Sequence, residues 1–126
     1  MHYHSTRGEG GSLRFTEAVA TGLAPDGGLI IPEKLPDISG QLEAWKDFDY
    51  ATLSKAFFAL FATDIPEETL SGCIDRAYRN WDHPEIAPLK FLGEQTAVLE
   101  LFHGPTLAFK DFALQLLGEF YALQIE

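Results

Sequence analysis

Apolar and polar positions along the chain change period several times, and each change predicts an element. Residues 1–4 read as a short strand with Tyr3 on one face. The run STRGEGGS at 5–12 is polar and glycine-rich, the composition of a loop. From Leu13 the pattern turns helical: Phe15, Ala18 and Val19 recur at three- and four-residue spacing, and Gly22 is the stop. Pro25-Asp26-Gly27-Gly28 predicts a turn, because proline fixes one backbone angle and glycine permits positive φ. Leu29-Ile30-Ile31 then predicts a short buried strand, closed by Pro32.

The middle is helical. A short helix is expected over 41–46, and Asp49 can cap a longer one with Leu53, Phe57, Leu60 and Phe61 as its apolar stripe. The Phe57 to Phe61 cluster is expected in the core. Pro66 suits the first turn of the next helix, where Leu70, Cys73, Ile74, Ala77, Tyr78 and Trp81 share a face and Asp82-His83-Pro84 ends the run. Segments 89–92 and 96–102 predict two strands joined at Gly93-Glu94-Gln95. His103-Gly104-Pro105-Thr106 breaks the second strand, and a final helix starts near Phe109. The residue pattern is therefore α+β: short strands, a helix pair and a β-hairpin.

The final helix carries Phe109, Phe112, Ala113, Leu116, Leu117, Phe120, Tyr121 and Leu123. Apolar on nearly every side, it is expected to be buried. A strand followed by a helix at the end of the chain looks like half of a βα unit whose parallel neighbour is absent, so the expectation is an N-terminal piece of a longer protein.

Composition narrows the function classes. The chain has 126 residues, 46% of them hydrophobic, enough for a core. Its formal net charge of −10 argues against nucleic acid or an anionic membrane as partner, since both call for clustered Lys and Arg. No apolar stretch approaches the ~20 residues of a membrane span, and no secretory leader is visible. Cys73, the single cysteine, excludes an internal disulfide framework and a cysteine-based zinc site. It sits on an apolar helix face and reads as inert core. A cytoplasmic location is expected. His2 and His4 alternate on one strand face, but without a third ligand at a fixed spacing no metal site is expected.

The most informative stretch is 102–112, FHGPTLAFKDF. A lysine at a helix start is disfavoured, because the positive end of the helix dipole repels it. Lys110 sits there between Phe109 and Phe112. Desolvation and the dipole both push an ammonium toward the neutral amine, a nucleophile able to form a Schiff base with an aldehyde. Asp111 offsets part of the dipole effect and is placed to orient the lysine. Gly104 and Pro105 set a rigid turn. The same residues also fit an ordinary helix lysine that lays its stem along apolar surface and keeps its head in water. The local pattern does not choose between the two.

Residues 102–118, FHGPTLAFKDFALQLLG, resemble the pyridoxal-phosphate (PLP) lysine segment of the threonine synthase family. The opening HYHSTRG and the later GLAPDGGLIIP resemble that family's N-terminal signatures. The resemblance implies a fold-type-II PLP enzyme that turns O-phosphohomoserine and water into threonine and phosphate. It assigns Lys110 as both the cofactor-binding and the catalytic lysine. It divides the chain into an N-terminal domain over 1–95 and, over 96–126, the first strand and helix of an α/β PLP domain. The family's glycine-rich cofactor-phosphate loop and its partner for the pyridine nitrogen come later than residue 126, so the remainder of the catalytic domain is missing and the chain by itself is expected to be inactive.

The substrate-side residues are fewer. Ser5, Thr6 and Arg7 form a compact donor set of two hydroxyls and a guanidinium, which a phosphomonoester needs in an acidic protein. A solvated surface loop fits them equally well. His103 and Thr106 flank the turn before the lysine and are candidate donors to substrate or cofactor, although a histidine at a strand end is commonly a packed or capping residue. Asp26-Gly27-Gly28 reads as structural. Two other readings stay open: a threonine synthase-like PLP phospho-lyase that ends at a keto acid, and a non-catalytic interaction domain.

Overall fold

The computed structural model describes residues 1–125. Strand β1 (Tyr3–Ser5) is followed by helix α1 (Phe15–Thr21), strand β2 (Ile30–Pro32) and the single-turn α2 (Leu42–Trp45). Helices α3 (Tyr50–Ala59) and α4 (Glu67–Tyr78), the hairpin strands β3 (Leu89–Phe91) and β4 (Ala97–Leu99), and helix α5 (Asp111–Ala122) complete the order. β1 pairs antiparallel with β2, setting Tyr3 opposite Pro32 and Ser5 opposite Ile30. β3 pairs antiparallel with β4, Leu89 opposite Leu99.

The core forms around α4. Its residues at three- and four-position spacing, Leu70, Cys73, Ile74, Ala77 and Tyr78, are all buried. Ile74 is 0% exposed, and burying such a side chain contributes roughly 1.5–3 kcal/mol. α3 and α5 both pack against α4, and α5 also meets α1. Leu116 and Phe120 of α5 enter the same buried cluster as Ile74. Phe15 of α1 meets Phe120 edge to face with ring centres 5.2 Å apart. Ion pairs Lys55–Asp75 and Arg76–Glu119, each 2.6 Å, link α3 to α4 and α4 to α5. Being partly exposed, such pairs contribute about 0–1 kcal/mol each.

The helix ends follow local chemistry. Asp49 caps α3 by accepting from the Thr52 amide at 2.7 Å. At α1, Glu17 reaches back to the Arg14 amide at 2.8 Å. The Thr16 amide and hydroxyl are both taken by Asp64 Oδ2, at 3.1 and 2.6 Å, from the turn between α3 and α4.

Four expectations need correction. The strand predicted over 29–31 is shifted to Ile30–Pro32 and is not buried: Leu29 is 62% and Ile31 40% exposed. A two-stranded ribbon has one sheet face without a covering layer, and Pro32, with no amide to donate, lies in the strand rather than closing it. In α3 the inward residue is Ser54, flanked by Ala51 and Phe58, so Leu53 and Phe57 face outward. Adjacent phenylalanines at 57 and 58 cannot both point inward on a helix, and packing against α4 selects 58. The second hairpin strand is shorter than the predicted 96–102 segment, because pairing with β3 ends at Leu99. Finally, α5 is not buried all round. Leu116 and Phe120 point inward, whereas Leu114 and Tyr121 remain exposed.

Candidate functional site

The STRG loop and the Pro25–Gly28 turn are knitted together by one carboxylate. Asp26 Oδ1 accepts from the Ser5 hydroxyl at 2.7 Å and the Gly28 amide at 2.8 Å, while Oδ2 accepts from the Glu9 amide at 3.0 Å. The Ser5 hydroxyl, followed by the Gly28 amide, holds the Asp26 carboxyl below its ordinary range. Ser5 is buried and its Oγ also accepts from the Arg7 amide at 3.1 Å. Thr6 Oγ1 accepts from the Leu29 amide at 3.0 Å. Arg7 donates one guanidinium N–H to the Asp26 carbonyl at 2.9 Å and is otherwise exposed. A Cβ at Gly28 would fall 2.1 Å from Ser5 Oγ, so only glycine lets the two segments meet.

The second cluster is the segment before α5. His103 Nε2 lies 2.8 Å from Glu100 Oε2, and its ring stands 4.9 Å from the His83 ring. Gly104 is buried. Thr106 donates its amide to Asp111 Oδ2 at 2.8 Å and its hydroxyl to Asp111 Oδ1 at 2.7 Å. Asp111 is 2% exposed. Burial pushes its carboxyl up, but the Thr106 hydroxyl and amide outweigh that and leave it below the ordinary range. Leu107, between them, adopts the left-handed φ of 61°, an uncommon conformation for a bulky residue.

Lys110 occupies the N-cap position of α5, with φ −63° and ψ −19°. It is exposed, and its ammonium has no hydrogen-bond or ion-pair partner among the described residues. Two parts of the sequence reading differ here. Phe109 is 66% exposed and does not desolvate the lysine. Asp111 turns inward to Thr106 instead of orienting the ammonium, because two neutral donors in the turn satisfy its oxygens at short range.

The structure thus gathers Ser5 and Arg7 around Asp26, with Thr6 on the adjoining Leu29 amide, and Thr106 around Asp111, while Lys110 faces solvent. His103 belongs to neighbouring Glu100. No hydrogen bond or ion pair among the described residues joins the two clusters. Sequence reasoning missed both aspartates as organising groups. An Asp two residues before a glycine was a local signal for a side chain bonding its own backbone. The distant donors, 21 residues away for Ser5, had no sequence signal. Among the described residues no group of three His, Cys, Asp or Glu could hold a metal ion, and no helix is long and apolar enough to cross a membrane.

Residues 2–78 match the family model described as threonine synthase N terminus. The threonine synthase of Schizosaccharomyces pombe is 47% identical over 124 residues, which span 96% of this chain and 24% of that protein. Human threonine synthase-like 2 is 40% identical over 129 residues, spanning the whole of this chain and 27% of that protein. Among solved structures, the PLP-bound threonine synthase of Brucella melitensis superposes with a TM-score of 0.93 at 39% identity, over all of this chain and 28% of that one. The yeast enzyme gives 0.89 at 35% identity, over 98% of this chain and 26% of that one. The chain therefore spans about a quarter of the length of the relatives it matches. Sequence and fold agree from the STRG loop through α5, and the chain belongs to the threonine synthase N-terminal family.

Proposed function

We propose that this chain is the N-terminal part of a threonine synthase, an enzyme that makes threonine and phosphate from O-phosphohomoserine and water with PLP as cofactor. One observation carries the reading: a primary amine, Lys110, without a partner among the described residues and presented to solvent from a pinned turn at the start of α5. A lysine amine joins reversibly to an aldehyde, so the residue present fits the group. When bound, PLP supplies an aldehyde and an electron sink for carbanion chemistry. Lys110 would hold the cofactor and would move protons at the substrate carbons. Arg7, which keeps free guanidinium donors, grips the substrate phosphate, while Ser5 and Thr6 hold the loop around it. Residues 1–95 form the N-terminal domain and 96–126 open the catalytic one. The 126-residue chain alone is inactive in this reading. An acidic chain with one buried thiol suits a reducing cytoplasm.

Borohydride reduction of the full-length, PLP-loaded enzyme followed by peptide mapping tests the reading. Label is expected on Lys110; label on Lys34, Lys46, Lys55 or Lys90 overturns it. The similarity to threonine synthase-like 2 favours one second reading, a phospho-lyase that releases a keto acid. Product analysis with O-phosphohomoserine separates the two, threonine for the first and a 2-keto acid for the second.

A further inference from the structure

We propose that Asp111, held by Thr106 and Gly104, is a positioning residue for Lys110: a buried carboxylate latch that fixes the turn from which the lysine amine meets an aldehyde. The proposal rests on the reading of Lys110 given above.

Among the described residues, the largest fully buried side chains are Ile74, Asp111 and Cys73. Ile74 and Cys73 are core. Asp111 is a carboxylate, and a buried carboxylate persists only where its oxygens find donors. Both of its oxygens do: the Thr106 hydroxyl and amide are the leading donors, and the Ala108 backbone and the Gln115 side chain add to them. Gly104 closes the other side. A Cβ there would lie 2.5 Å from Asp111 Oδ2 and 2.6 Å from Asp111 Cβ, so the backbone at 104 is in direct contact with the carboxylate. Backbone bonds Leu107 N–H to Gly104 O (3.1 Å) and Asp111 N–H to Ala108 O (3.0 Å) complete a wound segment. Leu107 holds its left-handed φ inside that segment. A strained residue persists where its surroundings over-determine it, and the bonds on either side of Leu107 do so.

The consequence for Lys110 is directional. Successive side chains at a helix start are rotated by about 100°. With Asp111 fixed inward, its neighbour is turned out to solvent, as observed. The lysine stem is flexible, and its reaction is not. The ammonium gives a proton to solvent, the amine nitrogen bonds to the aldehyde carbon, and the aldehyde oxygen leaves as water with the two hydrogens that the nitrogen gives up. That attack requires the nitrogen close to the carbon and aligned with it. The latch fixes the backbone end of that approach. Its carboxylate also lies in the first turn of α5, where negative charge is favoured.

The test uses the full-length enzyme stripped of PLP, with the rate of imine absorbance on adding PLP as readout. Thr106→Val keeps the side-chain volume and the backbone bond but removes the hydroxyl donor. Asp111→Asn keeps shape and removes charge. Thr106→Ser restores the hydroxyl. Folding is checked by circular dichroism and thermal midpoint. Thr106→Val and Asp111→Asn are expected to form the imine about ten- to hundredfold more slowly, with Thr106→Ser close to the unaltered enzyme. A purely structural role would lower the thermal midpoint and leave the rate in the folded protein alone. Folded Thr106→Val and Asp111→Asn variants that react at the unaltered rate, or a serine variant as slow as valine, overturn the latch. Borohydride label on Lys110 in the unaltered enzyme, together with such unaffected rates, leaves the cofactor assignment standing while the latch falls. Label on another lysine removes both.

Discussion

Tyr78 donates its hydroxyl to the carbonyl oxygen of Phe112 across 2.8 Å, tying the last turn of α4 to the first turn of α5. The bond places the start of the lysine helix against the most buried element of the fold. Tyr78→Phe removes the donor and leaves the ring packing against Tyr50 and Trp81. A loss of about 1 kcal/mol is expected in urea unfolding of the 126-residue chain. An unchanged midpoint would show that the hydroxyl contributes nothing.

Ile74 tests the core. Ile74→Ala should cost about 2–5 kcal/mol, the range for truncating a buried aliphatic side chain. Leu114→Ala, on the exposed face of α5, should stay within about 0.5 kcal/mol. Paired denaturation curves decide, and equal losses would mean that the buried face of α5 has been misassigned.

Arg7 tests the phosphate side of the proposed activity. In the full-length enzyme Arg7→Ala should lower kcat/KM roughly ten- to hundredfold, the effect of losing a charge-assisted contact, mainly through KM. Arg7→Lys should recover part, since an ammonium lacks the planar fork. Arg14, whose guanidinium pairs with Glu17 on the surface, is the control and its alanine variant should be near neutral. Loss of cofactor affinity instead of substrate affinity in Arg7→Ala contradicts this role.

Stability should fall at both ends of the pH scale. Asp64 is pushed up by burial but held below its ordinary value of 3.8 by the Thr16 hydroxyl and amide. Asp26 and Asp111 are also depressed. A depressed carboxyl stabilises the fold fully above its unfolded pKa and loses that contribution as pH falls through the folded one. Unfolding midpoints should therefore decline below about pH 4, and Asp64→Asn should flatten the decline. At the other end, burial and then the Asp64 charge raise Tyr3 to about 12. Burial, followed by Tyr50, raises Tyr78 as well. A raised tyrosine favours the fold while protonated, so stability should drop from pH 10 upward toward 12. A flat midpoint across either window would contradict the assigned partners.

Much of the fold was legible because single helices advertise themselves. The α4 face from Leu70 to Tyr78 and the Asp49 cap are properties of one segment read alone. The inward face of α3 was not, since choosing Phe58 over Phe57 depends on where α4 lies. Lys110 stood out because a cation at a helix start is locally out of place. Asp111 next to it was visible only as a charge, since its meaning comes from Thr106 and Gly104 folding back over it. The FHGPTLAFKDF segment named the family; it did not reveal which side chain holds which.

The contact between Thr16 and Asp64 bears on the order in which the chain folds. At seven residues α1 is too short to persist in water by itself. Its first-turn amide is satisfied by a carboxylate 48 positions away. That partner reaches it once α3 and α4 have come together around the turn that carries it. α1 is thus a late element, and the N-terminal loop it anchors is late with it. Substitutions at Thr16 should accelerate unfolding and leave the folding rate almost unchanged, whereas substitutions along α4 should slow folding.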